Sequence, residues 1–148
     1  YWSYNNEVDA ALVNGGSIRV DDMLSASVTS MDVFRVLPFG GGVLKVDLNG
    51  SLLKEVLDYG KSKAGTGAYL QRFNISEDAQ GEWLVANKLI DPAKVYKIAF
   101  SDFLLKGYDI PFLTPENKDV LNVYEPSEEE PAYDIRKAII LHLKSINK

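Results

Sequence analysis

Asn14-Gly15-Gly16-Ser17-Ile18-Arg19 sets two glycines and a guanidinium directly behind a short apolar run, Ala10-Ala11-Leu12-Val13. Such a loop can bring backbone N–H groups close to an anion, with Arg19 as a bidentate clamp. An ordinary turn has the same composition. Farther on, Phe103-Leu104-Leu105-Lys106-Gly107-Tyr108-Asp109 places an aromatic ring and a carboxylate six residues apart around a glycine. The ring can stack a base and the carboxylate can hold sugar hydroxyls; a packed Phe and a turn Asp are the plainer alternative. Gly40-Gly41-Gly42 lacks the Lys-Ser/Thr of a P-loop and the spacing of a dinucleotide fingerprint, so it reads as a turn. The acidic run Glu128 to Glu130 reads as a solvated lead-in to a helix rather than a metal site.

A single histidine and no cysteine narrow the chemistry further. Ser-His-Asp catalysis needs a His between nucleophile and carboxylate, and zinc or dinuclear centres usually draw on two or more His ligands. His142 is the only candidate, and within Ile139-Ile140-Leu141-His142-Leu143 it reads as the flank of an amphipathic helix. The sequence therefore predicts no catalytic residue and no metal ligand set in this chain. Carboxylate chemistry stays open.

These groups need a scaffold, and the pattern predicts one. Ala10 to Val13 reads as a buried strand, and Thr29 or Ser30 caps a short helix ending at Pro38. Leu44, Val46 and Leu48 alternate with Lys45 and Asp47 as in a half-buried strand. Asn49-Gly50-Ser51 offers capping chemistry for a helix through Leu52, Leu53, Val56 and Leu57, ending near Gly60. Tyr69 to Ser76 looks extended. Trp83 to Ile90 and Lys94 to Phe100 read as two strands joined at Asp91-Pro92, and Val120 to Tyr124 as a further strand. A short turn spans Ser101 to Lys106. Asp134 to Asn147 reads as a final helix with Ile135, Ala138, Ile139, Leu143 and Ile146 inward. Helices and strands mix without strict alternation, which predicts an α+β (mixed α/β) domain.

The chain has 148 residues, 46% of them apolar and 25% charged, with a net charge of −5. That suits one globular domain over 1–148. Negative charge disfavours nucleic acid and anionic membranes as partners, and no apolar run reaches transmembrane length. The start Tyr1-Trp2-Ser3-Tyr4 has no basic or apolar leader pattern and reads as a cut from a longer chain or as a separate subunit.

In order and spacing, Asp9 to Arg19, Val36-Leu37-Pro38-Phe39-Gly40-Gly41, Leu48 to Lys54, Gly67-Ala68-Tyr69-Leu70-Gln71, Ile90 to Ala99 and Asp102 to Asp109 resemble the C-terminal domain of 5′-nucleotidases. The resemblance implies layered sheets with flanking helices and a substrate-recognition role. It implies that a dinuclear metal pair belongs to a partner metallophosphatase domain, in cis or in trans, with no cofactor in this chain. It places a sugar or phosphate contact at Arg19, with Asn14 in the same turn. Base stacking falls on Phe103 and a ribose contact on Asp109. The second stacking ring falls on Tyr69, or failing that on Phe73. Tyr108 and Ile110 stand where the family keeps glycine, which predicts a narrower or reshaped rim. The implied ligand is a nucleotide or nucleoside and the implied location periplasmic or extracellular. A scaffold that keeps the fold without the pocket is the alternative.

Overall fold

A computed structural model describes residues 1–24 and 27–146. Five strands form the main sheet: β1 (Ala10–Asn14), β2 (Val43–Asn49), β3 (Leu70–Phe73), β7 (Val95–Ser101) and β8 (Val120–Tyr124), ordered β3-β1-β7-β2-β8. In this sheet β1 pairs parallel to β7, and the β1–β3, β2–β7 and β2–β8 pairings are antiparallel. A second sheet, β4 (Ile75–Glu77), β5 (Trp83–Val85) and β6 (Lys88–Leu89), is an antiparallel meander. The helices are α1 (Ser30–Val36), α2 (Gly50–Ser62) and α3 (Ile135–Ile146).

Strand alternation decides what covers each face. Ala10 and Leu12, Leu44, Val46 and Leu48, and Tyr96, Ile98 and Phe100 are buried in one core with Leu52, Leu53, Val56 and Leu57 of α2 and with Trp83 and Val85 of the small sheet. On the opposite side, Ala99 packs with Tyr4, Val8 and Ala132, and Ala138 brings α3 against the same layer. The result is the mixed α+β layering that the pattern implies. Among the described residues no helix is long and apolar enough to cross a membrane.

Several boundaries differ from the sequence expectation. Thr29 does cap α1, in a reciprocal box with Asp32. Asn49 does not cap α2 with its side chain, because its amide instead donates to Asp119 Oδ1 at 2.7 Å. Helix α2 ends at Ser62, close to Gly60 as expected, and Gly60 lies in its last turn. The Leu70 side chain presses where a Cβ would sit, so glycine there admits β3 against the helix. The extended stretch from Tyr69 breaks at Asn74, whose φ of 61° sends β4 into the second sheet. Trp83 to Ile90 is a hairpin and not one strand, since Ala86 and Asn87 both adopt positive φ, as a tight two-residue turn requires. In α3, Ala138 is buried, Ile135, Ile139 and Leu143 are half-buried, and Ile146 is exposed; Asn147 lies outside the described residues.

Candidate functional site

The parallel pairing of β1 with β7, and the antiparallel pairing of β2 and β3 with them, bring four loops to one end of the sheet. These follow β1 (14–19), precede β2 (38–42), precede β3 (67–69) and follow β7 (101–109). Between them lies a cleft of about 500 Å³ lined by Asn14, Ser17, Arg19, Phe39, Phe103 and Asp109, together with Asp102, Lys106 and the loop glycines. Its size lies in the range of small-molecule sites.

Asn14 ends β1 on the core-facing side and is 4% exposed, so its amide must find partners inside the protein. It donates to Asp109 Oδ2 at 2.8 Å, and Ser17 Oγ donates to Asn14 Oδ1. The pair ties the loop after β7 to the loop after β1 and holds the Asp109 carboxylate through Oδ2. The glycines Gly15 and Gly16 sit in a 3-10 turn, and neither has positive φ. Their function is close approach: a Cβ on Gly16 would meet Gly67 Cα and O at 3.3 Å, while Gly16 N–H donates to Gly67 O at 2.8 Å. Gly16→Val should therefore destabilise the domain by about 1–3 kcal/mol, from overpacking of backbone on backbone. Urea unfolding checks this, with Arg19→Ala, an exposed position, expected near zero.

Phe103 is 38% exposed at the start of the 3-10 turn Asp102–Lys106, which Gly107 closes with φ 74°. A Cβ at Gly107 would press on Thr114, so the turn before Asp109 admits only glycine without rearrangement. The two substitutions in this loop have different fates. Ile110 is fully buried in the core and does not narrow the rim. Tyr108 is 74% exposed, its ring 5.8 Å from that of Phe103 at 37°, so it broadens the aromatic surface beside the cleft.

Asn14, Arg19, Phe103 and Asp109 thus meet in one place. Tyr69 and Phe73 do not join them: neither is among the described residues that line the cleft. Strand β3 runs away from the cleft end, carrying Phe73 roughly 10 Å along it at about 3.3 Å per residue. There its ring packs on Tyr1 at 4.8 Å. Tyr69 contributes its carbonyl, which accepts from Gly15 N–H at 2.7 Å, while its ring lies 5.8 Å from the Arg72 guanidinium.

The second ring in the cleft is Phe39, 69% exposed, with the Arg19 guanidinium 4.9 Å above its face. A signal for it stood in the sequence. A large aromatic between Pro38 and Gly40-Gly41 belongs to no helix or strand stripe, so no core position awaits it. His142, by contrast, behaves as its helix pattern implies, half-buried with its ring 5.3 Å from that of Trp2. Among the described residues no three His, Cys, Asp or Glu side chains gather closely enough to hold a metal ion.

The mixed sheet thus carries a cleft with aromatic, carboxylate and guanidinium groups at one end. Residues 2–114 match the family model described as 5'-nucleotidase, C-terminal domain, and the chain belongs to that family. It is 35% identical over 109 residues to Protein UshA of Escherichia coli (strain K12), covering 68% of this chain and 19% of that protein. It is 31% identical over 126 residues to the 5'-nucleotidase of Bos taurus, covering 70% and 22%. The chain thus spans about a fifth of the length of these relatives. The fold is shared with the NAD nucleotidase (NadN) of Haemophilus influenzae, with TM-score 0.72, 24% identity and coverage of 97% of this chain and 28% of that one. It is shared also with a 5'-nucleotidase precursor from Thermus thermophilus, with TM-score 0.73, 19% identity and coverage of 98% and 30%.

Proposed function

We propose that the cleft binds the nucleoside part of a nucleotide, with the base between Phe39 and Phe103, ribose hydroxyls on Asp109, and a sugar or phosphate oxygen on Arg19. The domain is then the recognition half of a 5′-nucleotidase-type phosphohydrolase acting outside the cytoplasm. Its metal pair belongs to a metallophosphatase domain supplied in cis or in trans. The observation that carries this reading is the convergence of two segments distant in sequence, Asn14 to Arg19 and Phe103 to Asp109, on one cleft with Phe39.

The chemistry is complementary to such a ligand. Stacking between rings is tolerant of base identity and contributes about 1–3 kcal/mol per base. A carboxylate accepts from two neighbouring hydroxyls, and a guanidinium meets an anionic oxygen with charge-assisted hydrogen bonds. The test is an NMR shift titration of the 148-residue chain with adenosine and AMP. Shifts confined to the 14–19, 38–42 and 101–109 loops support the reading, and a flat titration replaces it with a scaffold role.

A catalytic prediction follows from the donor set. The purified chain with Mn²⁺, Zn²⁺ or Co²⁺ should release no phosphate from AMP or p-nitrophenyl phosphate above buffer. Metal-dependent turnover that persists through further purification and tracks the protein peak would overturn it.

A further inference from the structure

The Pro38-Phe39-Gly40-Gly41 loop that presents Phe39 is seated on the first turn of α3, beyond the segment matched by the family model. Ile135 N–H donates to Gly41 O at 2.9 Å, and Arg136 Nη1 reaches Pro38 O at 3.5 Å. The guanidinium lies so close over Gly40 that a Cβ there would sit 2.5 Å from Nη2. Gly40 itself has φ 61°, so the loop is both left-handed at this point and stripped of side chain where Arg136 passes.

Arg136 is in turn immobilised. Asp134 grips it through Nε at 3.0 Å and Nη2 at 2.7 Å, while the Phe34 ring of α1 lies 4.5 Å from its guanidinium carbon. The hydrogen bond from Arg136 holds the Asp134 carboxyl below the usual carboxylate range. A cation in the first turn of a helix opposes the helix dipole, so this arginine is poorly placed for helix stability alone. Its placement makes sense through what it touches.

We propose that Arg136 is a positioning residue that fixes the Phe39 loop from behind and so sets one wall of the cleft. Arg19 faces the same ring from the cleft side. The loop is thereby held between a clamp on α3 and a guanidinium at the cleft, and the C-terminal helix becomes part of ligand recognition without lining the site. The ligand arm of this proposal rests on the nucleoside reading above; the loop arm does not.

Both arms are read on the 148-residue chain by NMR. Arg136→Ala, with Asp134→Asn as the variant that keeps the guanidinium, should speed amide exchange at Gly40 and Ile135 tenfold or more. Exchange at Leu12 and Val46 in the central strands should hold. Adenosine affinity should fall three- to tenfold in Arg136→Ala, and that loss should vanish in a Phe39→Ala background, where the clamp has no ring left to place. A residue that merely supports the fold would weaken both backgrounds alike and leave the strand amides less protected. Unchanged exchange at Gly40 and Ile135, or an adenosine loss that persists without the Phe39 ring, overturns the proposal. A flat adenosine titration of the unmodified chain would instead remove the nucleoside reading, and the exchange result alone would then decide the clamp.

Discussion

Gly50→Ala is expected to destabilise this domain by about 3 kcal/mol, at the upper end of what overpacking costs. Gly50 opens α2, and its backbone runs against the Asp91-Pro92 turn. A Cβ there would fall 2.0 Å from Asp91 O and 2.9 Å from its carbonyl carbon. That neighbour is main chain, so no side-chain rotation relieves the overlap. Nor can the two segments separate cheaply. Gly50 N–H donates to Lys94 O at 2.8 Å, Ser51 N–H donates to Pro92 O at 3.1 Å, and Asn49 N–H is held by Asp119 O at 3.0 Å. Moving α2 outward would also strip Leu52, Leu53, Val56 and Leu57 from the main core. For a domain of about 150 residues, such a loss lowers Tm by roughly 6–12 °C.

Gly65→Ala is the control. Its φ of +83° makes alanine strained, yet nothing lies within 4 Å of the added carbon. Only the backbone term remains, about 1–2 kcal/mol. Equal melting shifts for the two variants would show that the approach of α2 to the Asp91 turn is not what requires glycine at Gly50.

That contrast shows where sequence reading stops. Period-2 burial at Leu44, Val46 and Leu48, and the Thr29 cap of α1, are local properties, and both stand in the structure as the pattern implies. Gly50, Gly60 and Gly16 look alike in sequence. What separates them is a neighbour 10 to 51 residues away: Leu70 for Gly60, Asp91 for Gly50 and Gly67 for Gly16. The β5–β6 hairpin was hidden for a related reason, because its left-handed pair is Ala86-Asn87 rather than an Asn-Gly turn, and burial of Trp83 and Val85 supports the strain. In the cleft, residues tied to one loop were legible as candidates. Phe39 shows locally only as an aromatic without a core stripe; that it completes the wall depends on how β2 is placed beside β7.

Phe103→Ala should weaken adenosine binding by about 1–3 kcal/mol, roughly five- to a hundred-and-fifty-fold, because one of two stacking faces is lost. The ring is partly exposed and projects from a short 3-10 turn, so its removal leaves the buried Leu104 and Leu105 anchored and the domain folded. The loss should be equal for 2′-deoxyadenosine, since stacking involves the base alone. Asp109→Asn should behave differently. Asn14 donates to Asp109 Oδ2, which orients the carboxylate, and each of its oxygens has more than one lone pair, so acceptor capacity remains for both ribose hydroxyls. Neutralising the carboxylate exchanges charge-assisted bonds for ordinary ones, a difference of about 1 kcal/mol, or roughly fivefold. Adenosine should feel that change more than 2′-deoxyadenosine, which has one hydroxyl fewer to offer. Neither nucleoside carries a phosphate, so the affinities will be weak, and shift titration reads weak binding well. Phe103→Ala that leaves the adenosine titration unchanged in a folded domain would make Phe103 a packing residue. An Asp109→Asn loss equal for both nucleosides would remove the ribose contact from this carboxylate.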